Sequence, residues 1–149
     1  MFSHPPFTSP AVVVHGLDHA RRAAAAGLPF VLLSAPGAAG YAGCLWWRAL
    51  ADMAAAEAPG LVEADILDCG EAPGWAMAAL RVGCRALVLA PACPAWPRVV
   101  AAAAGLGAIV LPHPPAALDL GRSGAERSLR AWLRGDAATS DRDRSGPFV

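Results

Sequence analysis

Residues 29–60 read PFVLLSAPGAAGYAGCLWWRALADMAAAEAPG, and this stretch decides the predicted fold. It opens with an apolar run at residues 29–34, which is typical of a strand buried on both faces. A loop of small residues follows, and the apolar spacing from Tyr41 to Glu57 predicts a helix that Pro59-Gly60 ends. The stretch is therefore one strand–helix unit of a parallel sheet.

Similar units lie on both sides of this stretch. Further short apolar runs predict strands at residues 11–15, 62–67, 85–90 and 108–111, and Ala-rich segments between them predict helices at 17–26, 71–82 and 94–104. Strands that alternate with helices in this way join through right-handed crossovers and form a parallel sheet covered by helices. We therefore expect a three-layer α/β domain with five mainly parallel, doubly wound strands.

The order of the strands depends on the third one, VEADIL at residues 62–67. It carries Glu63 and Asp65 on one face, and two carboxylates are better tolerated at a sheet edge than in the middle. This favours the Rossmann-like order 3-2-1-4-5 over the flavodoxin-like order 2-1-3-4-5. A partial (βα) barrel that completes itself by oligomerising is a third alternative.

The chain length of 149 residues fits one domain with one hydrophobic core. We place that domain at residues 11–135, after an extended N-terminal segment at 1–10. Its last helix is predicted to begin at Ser123, with Glu126 as the capping-box partner, and to stop at Gly135. Residues 136–149 contain almost no apolar side chain before Phe148-Val149, and this composition predicts a flexible tail.

Composition excludes several classes of function. The formal net charge is zero and all twelve cationic side chains are Arg, so the chain lacks the basic field that attracts nucleic acids. The absence of Lys excludes Schiff-base chemistry on a lysine and a Walker-type phosphate site. We therefore expect no nucleic acid partner.

Membrane insertion requires a separate test because residues 23–47 carry no charged side chain. That length would cross a bilayer, but Pro29, Pro36 and four glycines interrupt it, and lipid could not satisfy so broken a backbone. The N-terminus lacks the positive and apolar regions of a secretion signal. We expect a cytoplasmic protein without a membrane partner, whose four cysteines are free thiols.

Candidate catalytic residues follow the predicted strands, because ligands of parallel sheets bind beyond the carboxyl ends of the strands. Cys69 and Cys93 precede predicted helices, whose dipoles can lower a thiol pKa. His15 would lie near Cys93 in the order 3-2-1-4-5, and near Asp68 and Cys69 in the order 2-1-3-4-5. Asp68 is a candidate general base and His113 follows the fifth strand, although packing and helix capping explain such residues equally well.

The loop after the second strand is the candidate ligand-binding segment. Ser34, Gly37, Gly40 and Tyr41 lie between a strand and a helix, where backbone N–H groups can hold a phosphate or carboxylate. The spacing is not G-x-G-x-x-G and no basic residue lies nearby in the sequence, so a tight packing turn is the main alternative. The sequence identifies no cofactor. It predicts no metal site, because Gly16 separates His15 from His19 and prevents a shared helical face.

Two tryptophans suggest self-association. Trp47 lies at the margin of its helix, and the helix that carries Trp75 is apolar on two sides, so each is assigned to an interface with a second copy, most simply in a dimer. Two hypotheses of function result. The first is a small-molecule-binding α/β domain that holds a small anionic ligand at the rim, with enzyme activity left open. The second is a non-catalytic, homo-oligomeric assembly protein.

Overall fold

The computed structural model describes residues 6–136. Its elements are β1 (Ala11–Val14), α1 (Leu17–Ala25), β2 (Phe30–Ser34), α2 (Ala38–Tyr41), α3 (Cys44–Glu57), β3 (Val62–Asp68), α4 (Pro73–Arg81), β4 (Ala86–Val88), α5 (Trp96–Gly105), β5 (Ile109–Leu111), β6 (Ala117–Asp119) and α6 (Ala125–Leu133). The predicted α/β class with a parallel sheet is confirmed. Residues 1–5 of the predicted N-terminal segment and 137–149 of the predicted tail lie outside the described residues.

The sheet contains six parallel strands, and their order is β5-β4-β3-β2-β1-β6. Both predicted orders and the strand count of five are therefore wrong. The sixth strand pairs with β1 through the register Ala11 to Ala117, so β1 lies between β2 and β6. Successive strands from β1 to β5 are neighbours in the sheet. After β5 the chain returns to the other edge, where β6 pairs with β1.

The third strand lies inside the sheet because its carboxylates have partners. Glu63 accepts hydrogen bonds from Thr8 and Ser9 of the N-terminal segment, at 2.7 to 3.0 Å. Asp65 forms a bidentate ion pair with the guanidinium of Arg48 in α3, with N–O distances of 2.9 and 2.8 Å. Glu63 and Asp65 lie in the first half of β3, while its last three residues, 66–68, are buried. The predicted edge position of this strand is wrong because Glu63 and Asp65 find these partners inside the fold.

The sheet curls. Only residues 112–116 join Leu111 of β5 to Ala117 of β6. Six extended Cα–Cα steps reach at most about 22 Å, whereas five strand spacings across a flat sheet amount to about 24 Å. The two edge strands therefore lie closer together than they would in a flat sheet. The predicted partial (βα) barrel that completes itself by oligomerising stays a prediction.

Two apolar clusters lie on the two faces of the curled sheet. The larger one combines strand residues such as Leu32 and Leu67 with buried residues of all six helices. The other contains strand residues such as Val31 and Ile66, together with Ala35 and a contact from Phe7, and it includes no helix residue of the described chain. Right-handed crossovers between successive neighbours explain why the helices share one face.

Two predicted helix boundaries need correction. The helix predicted over residues 41–57 is divided into α2 and α3 by Gly43, whose φ of 92° only glycine adopts readily. The predicted capping box at Ser123 is absent. Helix α6 follows Gly124 without a side-chain cap, and Glu126 instead pairs with Arg22 of α1 at 3.2 Å. Within residues 6–136, no helix is long and apolar enough to cross a bilayer.

Candidate functional site

A histidine and an aspartate meet at the carboxyl ends of β1 and β6. The ring nitrogen Nε2 of His15 lies 2.7 Å from Oδ1 of Asp119. The His15 side chain is 41% exposed and that of Asp119 is 30% exposed, so solvent and small molecules reach the pair. Because a carboxylate is only an acceptor, Nε2 carries the shared proton and Nδ1 is the second ring nitrogen.

Gly121 fixes the geometry of this pair. Its backbone N–H donates to the same Oδ1 of Asp119 at 2.8 Å. A Cβ atom built on Gly121 would lie 2.7 Å from Nε2 of His15 and 3.1 Å from Oδ1 of Asp119, so any side chain there would require the His15 ring to move. The loop after β6 therefore packs directly on the hydrogen bond between His15 and Asp119.

The charge of Asp119 is stabilised in place. Partial burial is the largest single influence and raises the pKa of Asp119, but the hydrogen bonds from His15 and Gly121, together with the nearby charge of Arg122, outweigh it and lower that pKa overall. The carboxylate is therefore ionised at neutral pH. It can orient the imidazole of His15.

His19 supports the loop between β1 and α1. Its Nδ1 accepts a hydrogen bond from the backbone N–H of His15 at 3.1 Å, and the two rings meet edge to face with centroids 5.5 Å apart. The ring of His19 is thus engaged with the backbone. In residues 6–136, no group of three or more His, Cys, Asp or Glu side chains is arranged to hold a metal ion.

Asp68 occupies the position predicted for an external anion. Its Oδ1 accepts hydrogen bonds from the backbone N–H groups of Gly37 and Gly70, at 3.1 and 2.8 Å. The Ser34 hydroxyl accepts from the N–H of Asp68 at 2.9 Å and donates to the carbonyl of Ala35. The loop after β2 thus binds a carboxylate of the chain itself. The hydrogen bonds of Ser34 and Gly37 with Asp68 favour the alternative that this loop is a packing turn.

The other two residues of the predicted ligand loop, Gly40 and Tyr41, do not take part in these hydrogen bonds. Tyr41 is 71% exposed at the end of the short helix α2. Gly40 faces α4, since a Cβ atom built on it would lie 3.7 Å from Nε1 of Trp75. Hydrogen bonds therefore connect Ser34 and Gly37 with Asp68, while Gly40 lies towards the tryptophan of α4 and Tyr41 is exposed to solvent.

The two candidate cysteines differ. Cys69 is 3% exposed, and burial raises its pKa to about 12, opposite to the lowering expected from a helix dipole. Cys93 is partly exposed and lines a cavity of about 510 Å³ with Glu71 and neighbouring Pro and Ala residues. Since β1 lies between β2 and β6, the strand order brings His15 to Asp119 and to neither cysteine. His113 is exposed in the connection after β5.

Neither β6 nor the role of Asp119 was predicted from the sequence, although a signal was present. Residues 67–70 read LDCG and residues 118–121 read LDLG. Both segments end a strand, and in both the aspartate Oδ1 accepts from the N–H of the glycine two residues later, at 2.8 Å. The repeated L-D-x-G pattern marks two strand ends at which the aspartate accepts the same hydrogen bond from the following loop.

The interface prediction is wrong for one tryptophan. Trp47 is fully buried among its own helices and sheet, so it offers no surface to a second copy. Trp75 is 44% exposed.

Comparison of the chain with protein-family models and with curated proteins gives no match.

Proposed function

We propose that this chain is a cytoplasmic small-molecule-binding domain that holds a small anionic ligand at the carboxyl-terminal rim, beside His15 and Arg122. The hydrogen bond of 2.7 Å between His15 and Asp119, on which Gly121 packs, carries this proposal. In curled parallel sheets the loops at this rim are where ligands bind and react. The His15–Asp119 pair lies in these loops and is accessible.

The chemistry proposed for His15 is proton exchange with the bound ligand. Nε2 is engaged with Asp119, so Nδ1 is the atom that donates to or accepts from the ligand. A carboxylate behind an imidazole fixes its tautomer and stabilises the imidazolium when it forms. The arrangement suits general acid–base chemistry, so if the domain is an enzyme, His15 is the acid or base.

The preference for an anion rests on Arg122. This exposed guanidinium follows the L-D-x-G turn, and its charge is close enough to influence the carboxylate of Asp119. When His15 is protonated, it and Arg122 carry two positive charges, and Asp119 carries one negative charge. A phosphate or carboxylate can therefore bind between them.

A titration with inorganic phosphate tests this proposal. Phosphate is added to the ¹⁵N-labelled chain while the imidazole resonances of His15 are followed by NMR. We expect a saturable shift at His15. The phosphate affinity obtained from it should be at least tenfold weaker in Arg122→Ala and unchanged in Arg127→Ala, which removes an exposed Arg of α6. Equal affinity in Arg122→Ala and the unchanged chain would reject the site.

A second proposal is homodimer formation through the outer surface of α2, α3 and α4. Tyr41 and Leu45 are 71% and 73% exposed, Trp75 and Met53 are about half-exposed at 44% and 48%, and Trp46 is 37% exposed. The Sγ of Cys44 lies 3.5 Å from the carbonyl of Trp75, so α4 and the start of α3 are in contact. Large exposed apolar side chains of neighbouring helices favour a protein partner.

Sedimentation equilibrium tests the dimer. We expect a dimer for the unchanged chain and a monomer for Leu45→Glu. The control Leu106→Glu places the same charge on another exposed leucine, which is 49% exposed after α5, and should stay dimeric. A monomeric unchanged chain at high concentration would remove this proposal without affecting the anion site.

A further inference from the structure

A cavity lies at the opposite end of the sheet from His15. It has a volume of about 410 Å³ and opens to solvent. It is bounded by the N-terminal segment, the first residues of β1 and β2, the connection before β6, and the end of α6. Its lining in the described chain is Phe7, Thr8, Ser9, Pro10, Ala11, Val31, Pro115, Ala116, Trp132 and Gly135.

The wall formed by Trp132 is fixed in place. Its indole Nε1 donates a hydrogen bond of 2.8 Å to the carbonyl of Ala11, which joins the last helix to the first strand across 121 positions of sequence. The ring is therefore oriented before any ligand arrives. A rigid aromatic surface offers a large contact area at a small cost in conformational entropy.

The opposite wall is fixed as well. The backbone N–H groups of Thr8 and Ser9 donate to the carboxylate of Glu63 at 2.9 and 2.7 Å, and the Thr8 hydroxyl donates at 3.0 Å. These three bonds hold the N-terminal segment against β3 and place Phe7 and Pro10 beside the cavity. Its shape therefore depends on two independent anchors.

We infer that this cavity is a second ligand site, which takes one small, uncharged, mainly apolar ring compound. No charged side chain is among the described residues that line it, so a charged ligand would lose its hydration without a partner. The volume suits a single small ring system and lies in the usual range for ligand cavities. A second protein would need a far larger contact surface.

The polar groups of Thr8 and Ser9 at one side refine the class of ligand. Because the N–H groups of both residues and the Thr8 hydroxyl donate to Glu63, their hydroxyl oxygens are left to accept a hydrogen bond from a ligand. A ring with one hydroxyl, such as a phenol, matches this lining better than a hydrocarbon.

A titration with 4-methylphenol tests the inference. The Nε1–H signal of Trp132 is followed by NMR in the full-length ¹⁵N-labelled chain, with 4-methylbenzoate as the charged counterpart. We expect a saturable shift at Trp132 with 4-methylphenol and at least tenfold weaker binding of 4-methylbenzoate. Binding of 4-methylbenzoate with equal affinity would contradict an uncharged ligand.

Two matched variants locate the binding. Ala116 is exposed at the mouth of the cavity, so Ala116→Phe fills that mouth and should weaken 4-methylphenol at least tenfold. Ala101 is an exposed residue of α5, and Ala101→Phe should leave the affinity unchanged. The inference is overturned if 4-methylphenol shifts only the exposed Trp75, or if Ala116→Phe binds it as tightly as the unchanged chain.

Discussion

Gly121 lies so close to His15 that the pair leaves no room for a β-carbon: the atom would come within 2.7 Å of Nε2. The backbone of Gly121 does not have a positive φ, so space and not backbone conformation requires glycine here. The contact joins the loop after β6 to the loop after β1. It explains why the His15–Asp119 pair has one defined geometry although both side chains are partly exposed.

Gly121→Ala is expected to break the hydrogen bond between His15 and Asp119. The His15 ring can rotate into solvent, so the loss of unfolding free energy should stay below about 1 kcal/mol. A crystal structure of the variant would show the rotated ring, and the phosphate-induced shift at His15 should disappear. Gly105→Ala is the control, because a Cβ atom there meets nothing within 4 Å. An unchanged distance of 2.7 Å in Gly121→Ala would contradict this account of the turn.

Glu63 should make stability depend on pH in the acid range. Hydrogen bonds from the backbone of Thr8, then from Ser9, lower its pKa from 4.5 to about 2. Between these values the unfolded chain binds more protons, so the unfolding free energy falls as the pH drops from 4.5 towards 2. Urea unfolding should show a shallower fall for Glu63→Gln than for the unchanged chain. Glu71→Gln, at an exposed residue beyond the other end of β3, should keep the full slope.

The two acidic partners of Arg48 should differ in their effect on stability. Asp65 is 20% exposed and bonds the guanidinium twice, whereas Asp52 is 67% exposed. Asp65→Ala leaves a half-buried Arg48 without its main partner, and we expect a loss of about 2 kcal/mol. Asp52→Ala should cost less than about 0.5 kcal/mol. Equal losses in chemical denaturation would show that the pair with Asp65 does not anchor the central strand.

Thiol labelling should distinguish Cys93 from the other cysteines. Burial raises the pKa of Cys69 to about 12 and that of Cys84 to about 11, and it also raises the pKa of Cys44. These three thiols are buried, while Cys93 is partly exposed. At pH 8 the native chain should therefore release one equivalent of thionitrobenzoate quickly, and Cys93→Ser should release none on that timescale. Rapid reaction of a second thiol would mean that the core around Cys69 opens readily.

Much of the architecture was predictable because short buried strands and Ala-rich helices leave a clear apolar rhythm. All five strands predicted from PFVLLS and its counterparts are present. The sixth, Ala117–Asp119, is as short as β4 and β5 but reads ALD after a Pro-rich turn, so no wholly apolar run marks it. The strand order was wrong for another reason: the carboxylates of the third strand were taken as the sign of a sheet edge, whereas β3 lies between β2 and β4.

Of the pair at the candidate site, only His15 could be predicted from the sequence. His15 follows a recognisable strand, but its partner Asp119 comes from 104 positions later in the sequence. Partners of Glu63 and Asp65 are likewise remote in sequence, which made β3 resemble an edge strand. Local patterns predict elements well, whereas the partners of charged side chains depend on how the elements assemble.

Native mass spectrometry of the gently purified chain tests the central claim most directly, because one spectrum reports retained ligands and the number of subunits. The proposed anion site predicts a discrete small mass on each subunit that is lost in Arg122→Ala and retained in Arg127→Ala. A ligand-free spectrum for the unchanged chain, or a retained mass in Arg122→Ala, would contradict a ligand held beside His15 and Arg122.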